Sequence, residues 1–257
     1  MTAHILVTND DGVNSPGLLA LKQALEAVGQ VTVFAPDRNW SAAGHSKTMH
    51  KPLRIHRVTL ADGSPAYSTN GAPSDCVGLA LLGAIPQPPD LVVSGINQGG
   101  NLGHDITYSG TVAGAMEAVV GGVPAIAVSL DAREWADFAA VTAAVARLAR
   151  LILANGLPPN LLFNVNAPPI PSVQVKGIVV TRLGQRVYRD VLVERADPKG
   201  QPYYWIGGEP PSGVVENGTD IGAVANGYIS ITPLSMDMTA HSFMDTLHTW
   251  LALPIDH

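Results

Sequence analysis

The sequence predicts an α/β protein: a doubly wound, mostly parallel sheet, Rossmann-like and three-layered, with a β-rich extension and a projecting hairpin towards its C-terminal end. Three observations carry this. Short β-branched apolar runs alternate with stretches of helical spacing over the first two thirds of the chain, the rhythm of right-handed β-α-β crossovers that cover both faces of a parallel sheet. Of the 257 residues 46% are hydrophobic but only 5% aromatic, so aliphatic side chains must supply a single large core. After about residue 170 the alternation gives way to charge alternation and clustered aromatics.

His4 to Thr8 (H-I-L-V-T) is a buried strand that stops abruptly at N-D-D-G. Gly17 to Val28 has helical spacing through Leu18, Leu21, Leu25 and Val28 and ends at Gly29. Val31 to Ala35 is a second strand. Pro73 to Leu82 is a helix, Leu91 to Ser94 a strand, Thr111 to Val120 a helix, Ala125 to Leu130 a strand, Trp135 to Ala154 a long helix and Leu161 to Asn166 a strand. Beyond these, Val173 to Arg182 reads as a strand, 184–211 as an exposed hairpin whose Tyr203, Tyr204 and Trp205 suit a partner surface, Tyr228 to Thr232 as a late strand and His241 to Leu251 as a closing helix. The core is expected over about 1–170 and the extension over about 171–257.

Ligands of open α/β sheets bind beyond the carboxyl ends of the strands, and three unusual polar loops fall there. The first, T-N-D-D-G-V-N-S-P-G, sets Asp10 beside Asp11. Asp11-Gly12 could be a plain turn and Asp10 a helix cap. Two adjacent carboxylates repel, however, so the pair needs a cation or a proton. The second loop, Pro36 to His50, is rich in Ser, Gly, Asn and His and carries Ser41, His45 and Ser46. The third, Gly95 to Ser109, has Gly95, Gly99, Gly100 and Gly103 for close backbone approach, with Asn97 and Asn101 as amides. Ser109-Gly110-Thr111 then opens a helix, where free N–H groups favour an anion. Simple N-capping by Ser109 or Thr111 is the alternative. Neither a phosphate-binding G-K-[ST] loop nor a dinucleotide G-x-G-x-x-G follows the first strand.

The formal charge of −6 offers no general field for a polyanion, so binding along a nucleic-acid polymer is not expected. A small phosphate ester needs only a local positive spot. The lone Cys76 reads as a buried core residue. No apolar run of the sequence is long enough for a membrane span, and no secretory leader is recognisable; a cytoplasmic protein is the expectation.

These loops together resemble the SurE family, survival proteins that act as 5'- and 3'-nucleotidases. The resemblance rests on T-N-D-D-G at 8–12, A-P-D-R-N-W-S at 35–41, G-H-S at 44–46, S-G-I-N at 94–97 and N-L-G-H-D-I-T-Y-S-G-T-V at 101–112. V-T-R-L-G at 180–184, G-T-D at 218–220 and G-Y-I-S-I-T-P-L at 227–234 extend it over nearly the whole chain, as one SurE-like domain over 1–257. It implies a metal-dependent phosphomonoesterase acting on nucleoside monophosphates, with 3'-nucleotidase and exopolyphosphatase activities as further expectations. It implies one divalent ion per subunit, magnesium or manganese, on Asp10, Asp11, Ser41 and Asn97, an oxygen set that those ions accept. A phosphate cradle is implied at Ser109, Gly110 and Thr111, with Asn101 and Asn9 counted beside it, and a homodimer or homotetramer is implied through the C-terminal region. Asp10 and Asp11 would act catalytically by way of the metal. His45 and His104 are the candidate general acids.

Trp40 departs from the family pattern, in which a smaller or polar residue is commoner; it either stacks on a nucleobase or packs on its own chain. Two rival readings remain at this point. In the haloacid dehalogenase phosphatases the corresponding D-x-D motif supplies a covalent nucleophile, but that position here is Asn9, which is no carboxylate. A non-catalytic metal- and nucleotide-binding sensor is the other.

Overall fold

A computed structural model describes residues 2–132 and 137–252. Its centre is a nine-stranded sheet built from β1 (His4–Thr8), β2 (Gln30–Pro36), β3 (Ile55–Thr59), β4 (Pro65–Thr69), β5 (Leu91–Gln98), β6 (Ala125–Leu130), β7 (Leu161–Ala167), β8 (Ile178–Val180) and, further along the chain, a strand at Ile229–Ser235. A separate hairpin pairs β9 (Arg186–Ala196) with β10 (Pro202–Gly213), so the last sheet strand is β11. The spatial order is β3-β4-β2-β1-β5-β6-β7-β11-β8. Five neighbouring pairs from β4 to β7 are parallel, while β3/β4 and β7/β11 are antiparallel. β11 and β8 therefore carry the expected extension into the same sheet as the core.

The helices α1 (Pro16–Leu25), α2 (Pro73–Leu79), α3 (Gly110–Val120) and α4 (Ala139–Asn155) cover the two faces. Side-chain alternation along β1 explains the split. Ile5 and Val7 pack with Leu18, Leu21 and Leu25 of α1 and with Val145 and Ile152 of α4. Leu6, on the opposite face, packs with Val77 of α2 and with Val112 and Ala115 of α3. This is the doubly wound arrangement that the sequence predicts. Its topological switch lies between β1 and β5, where the strand order reverses, and a crevice opens at their carboxyl ends.

Several expected boundaries move. The first helix stops at Leu25 rather than Val28, because the chain must turn to pair Gln30 with Ala3 (N–H to O 2.9 Å); a Cβ on Gly29 would lie 2.4 Å from the Ala3 carbonyl oxygen. The helix expected to Leu82 is regular to Leu79 and then widens over Ala80–Ala84 around Gly83 at φ +95°. The strand expected over Val173 to Arg182 reduces to Ile178–Val180: Ser172–Gln174 forms a 3-10 turn and Gly177 sits at φ +139°. Trp135, the expected start of the long helix, lies outside the described residues. The closing helix begins as a 3-10 turn over His241–Phe243 before α6 (Met244–Leu251). Three elements were not anticipated: the edge strand β3, its neighbour β4, and the short helix α5 (Asp220–Ala225). The hairpin falls where it was expected, and its turn is closed by Asp197, whose carboxylate accepts N–H bonds from Lys199 and Gln201.

No described helix is long and apolar enough to cross a membrane. Cys76 is fully buried, and burial pushes its thiol well above the usual range, which makes it an inert core residue.

Candidate metal and phosphate site

Three loops meet at the crevice between β1 and β5. The first is a turn held by its own amide: Asn9, fully buried, donates its side-chain N–H to the Gly12 carbonyl at 3.0 Å and accepts the Gly12 N–H at 3.2 Å. Gly12 sits at φ +100°, a conformation that favours glycine. Asn9 is thus spent on turn geometry, and with no carboxylate it offers no covalent nucleophile.

The turn delivers Asp10 into the protein and leaves Asp11 half-buried beside it. Asp10 is only 4% exposed. Its Oδ1 accepts the Thr111 hydroxyl at 2.6 Å. Burial, reinforced by the neighbouring Asp11 charge and opposed by the Thr111 hydrogen bond, pushes its pKa up to about 6. Burial also raises the pKa of Asp11, opposed by the Gln98 backbone N–H, 3.4 Å from Oδ2. Among the described residues no side-chain cation bonds to this buried carboxylate, which has a second acid beside it and so lacks a counter-charge.

Opposite the pair stands the start of α3. Ser109 caps the helix, accepting the Val112 N–H at 3.1 Å, so its hydroxyl does the capping. Gly110 allows close approach: a Cβ there would lie 2.8 Å from the Asp10 Cβ and 2.9 Å from its Oδ2. The positive end of an 11-residue helix therefore faces the acidic pair at van der Waals distance.

The end of β5 brings Asn97, half-buried, whose amide nitrogen donates to the Gly99 carbonyl at 2.8 Å, leaving its amide oxygen as the free acceptor. The second loop is tied to the first by the Trp40 backbone N–H, which donates to the Asp10 carbonyl at 2.7 Å. Ser41 is exposed, and its hydroxyl and N–H both donate to the Asn39 side-chain oxygen at 2.6 and 2.7 Å. Asn39 in turn approaches Asp11 at 3.5 Å. Ser41 thus reaches the pair through Asn39, a residue that sequence reasoning missed. Its signal was local: an amide two positions before a serine commonly closes a turn of this kind.

Asn101 is a strut for the third loop. Its side chain donates to Ser129 at 2.7 Å, its N–H donates to the Asn166 side-chain oxygen at 2.8 Å, and its carbonyl accepts from Asn164 and Asn166. The same loop is anchored from the far end of the chain, where Gly103 donates its N–H to Asp220 at 2.8 Å. His45 pairs with the buried Glu117 of α3 at 2.9 Å, and Lys47 binds the same carboxylate at 2.7 Å. His104 is exposed on a 3-10 turn. Neither histidine hydrogen-bonds to Asp10 or Asp11 among the described residues, and of the two His104 is the freer to meet a ligand. Trp40 packs on its own chain, between Arg38 and Lys51.

The donor set fits a hard divalent cation. Among the described residues no three His, Cys, Asp or Glu side chains gather as a metal cluster, so a softer, nitrogen- or sulfur-rich centre finds no ligands. Two carboxylates with neutral oxygens from an amide and a hydroxyl are instead what magnesium or manganese accepts, with waters and ligand oxygens completing six positions.

A model of the survival protein SurE family matches residues 5–190. The chain is 55% identical to a 5'-nucleotidase SurE of Chloroflexus aggregans over 250 residues, 96% of this chain and 98% of that one. It is 55% identical to one of Herpetosiphon aurantiacus over 248 residues, 96% and 97% of the respective chains. The crystal structure of a SurE protein from Aquifex aeolicus superposes with a TM-score of 0.82 at 40% identity, covering 96% of this chain and 99% of that chain.

Proposed function

The chain belongs to the survival protein SurE family, and from that premise we propose that it is a 5'-nucleotidase working as a metal-dependent phosphomonoesterase on nucleoside monophosphates. The observation that carries the reading is the meeting of an uncompensated buried acid, Asp10, with the first turn of α3. One spot thereby offers anionic ligands for a cation and a positive helix end for a phosphate.

Asp10, Asp11, the Asn97 amide oxygen and the Ser41 hydroxyl would hold the ion, magnesium or manganese, one per subunit. When bound, the cation supplies Lewis acidity: it neutralises phosphate charge and makes a water acidic enough to attack near neutral pH. The chain's own residues do the rest. Thr111 fixes the Asp10 carboxylate by its hydroxyl. The start of α3, over Ser109, Gly110 and Thr111, favours the phosphate and the charge that builds on its oxygens during transfer. The Asn101 strut and the Asn9 turn hold the two loops at the spacing that this requires.

The test is phosphate release across nucleoside 5'- and 3'-monophosphates and inorganic polyphosphate, with magnesium or manganese and an EDTA control. The reading expects release from 5'-monophosphates that EDTA abolishes, with the other two panels defining how far the activity extends. Saturable nucleotide binding without release would mark a sensor instead.

Two further outcomes follow from the geometry. Asp10 must lose its proton to accept a cation, and burial holds its pKa at about 6. Apparent metal affinity should therefore be flat above that pH and fall about tenfold for each unit below it, as read by calorimetric titration of manganese between pH 5 and 8. Gly110→Ala places a methyl group against Asp10, whose side chain Thr111 prevents from swinging aside. A displacement near 1 Å at a reacting centre costs on the order of a hundredfold. AMP turnover should drop by about that factor while circular dichroism stays parental.

A homodimer or homotetramer through the C-terminal region is part of the same proposal, and its support is the exposure of apolar side chains there. Tyr204, Trp205 and Ile206 on the hairpin and Phe243, Leu247 and Trp250 around α6 are all exposed, and aromatic side chains are enriched where subunits meet. Light scattering of the full chain would report the assembly.

A further inference from the structure

Between Arg38 and Ala61 the chain has no Asp or Glu, yet it carries five of the 15 Lys and Arg residues and three of the eight His. In a chain of formal charge −6 this stretch inverts the local field. Only Lys47 among the five cations is neutralised, by Glu117. Among the described residues no ion pair engages Arg38, Lys51, Arg54 or Arg57.

Two of these cations are gathered at one point. The Arg38 guanidinium lies 5.1 Å from the centre of the Trp40 ring and the Lys51 ammonium 5.9 Å from it, distances at which a ring attracts a cation. Lys51 also reaches the Asn70 carbonyl at 3.4 Å. The Trp40 main chain is fixed in turn, its backbone N–H donating to the Asp10 carbonyl at 2.7 Å. The Arg38 backbone packs on the same turn, 3.2 Å from where a Cβ on Gly12 would stand. The segment that carries Arg38 and Trp40 thus touches, through its backbone, the turn that bears the acidic pair.

The scissile phosphate does not need them. Its charge would be met by a cation held on Asp10 and Asp11 and by the end of α3. Two unpaired cations ordered by an aromatic ring are a preorganised anion site, because little side-chain freedom is left to lose on binding. We propose that Arg38 and Lys51, ordered by Trp40, form a subsite for a second, non-scissile phosphate on the ribose, so that the favoured substrates are nucleoside 3',5'-bisphosphates. The proposal rests on the nucleotidase reading and adds a substrate class to it.

Calorimetry in EDTA, where turnover does not interfere, compares the binding of AMP, ADP and adenosine 3',5'-bisphosphate to the parental protein and to Arg38→Ala, Lys51→Ala and Lys51→Arg. Phosphate release with manganese is measured alongside. The bisphosphate should bind about tenfold tighter than AMP, each alanine variant should cut that ratio to about threefold or less, Lys51→Arg should keep it, and 0.5 M salt should erase most of it. Equal affinities in the parental protein, or equal losses for both nucleotides in the variants, overturn the subsite. ADP matching the bisphosphate places the second phosphate along the phosphate chain and overturns the ribose assignment. Absence of phosphate release from every nucleotide sinks the nucleotidase reading, while the binding ratio still judges the subsite.

Discussion

Asp10→Asn is expected to lose AMP hydrolysis by about a thousandfold or more while making the metal-free protein more stable above pH 7. The loss follows from removing an anionic ligand and with it the charge that holds the cation. The gain follows from the environment of Asp10, where burial lifts the carboxyl from its ordinary 3.8 to about 6. A carboxyl whose folded-state pKa is raised stabilises the fold in its protonated form below the unfolded value, and that contribution is lost as pH rises through about 6. Two pH units correspond to a few kcal/mol, so the ionised acid costs the empty site on the order of 2–3 kcal/mol at pH 8. The amide pays no such cost. Thermal or urea unfolding in EDTA should show the variant more stable at pH 8 and level with the parent near pH 4, and manganese should close the gap by stabilising only the parent. An active site that weakens the fold in this way is the usual trade between stability and function.

Asp220→Ala should be the most destabilising single change in the C-terminal region. Fully buried, this carboxylate accepts the Gly103 N–H at 2.8 Å on one oxygen, and on the other those of Gly184 at 2.7 Å and Ile221 at 2.8 Å. It stitches the third loop to the hairpin entrance and to α5. Removing it strands three buried donors, each costing about 1–3 kcal/mol, so a loss of about 3–5 kcal/mol is expected. Because Gly103 belongs to the loop between Asn97 and Ser109, AMP turnover measured well below the melting temperature should also fall. A variant with parental stability would show that other contacts carry these N–H groups.

What could be read in advance, and what could not, follows from the range over which each feature is encoded. The β1 strand ends abruptly at two acids, and the helix opened by Ser109 carries its own cap, so both are local patterns. The parallel core was legible because its strands are continuous apolar runs. β3 was not, because I-H-R-V-T at the sheet edge leaves four of five residues exposed and shows no apolar face. α5 was missed because six residues hold too few turns for a periodic signal. The Val173 to Arg182 run looked like one strand because its apolar residues outweighed a single glycine, yet Gly177 takes a positive φ that ends the extended backbone. Within the site, the acids were visible while their geometry was not. That Asn39 links Ser41 to Asp11, that Gly110 must be glycine to clear Asp10, and that His45 is spent on Glu117 are contacts between residues far apart in sequence or folded in a loop without periodicity. The G-T-D stretch shows the same limit, since the role of Asp220 exists only once Gly103 is brought beside it.

The central claim is that Asp10, Asp11 and Asn97 share one divalent cation. Its most direct measurement is a manganese titration followed by the paramagnetic resonance of the free ion, on the parental protein and on Asp11→Asn and Asn97→Leu, at pH 8. The account predicts one ion per chain for the parent and at least a tenfold weaker affinity in each variant. Parental affinity in both variants, or no ion bound by the parent, would contradict it.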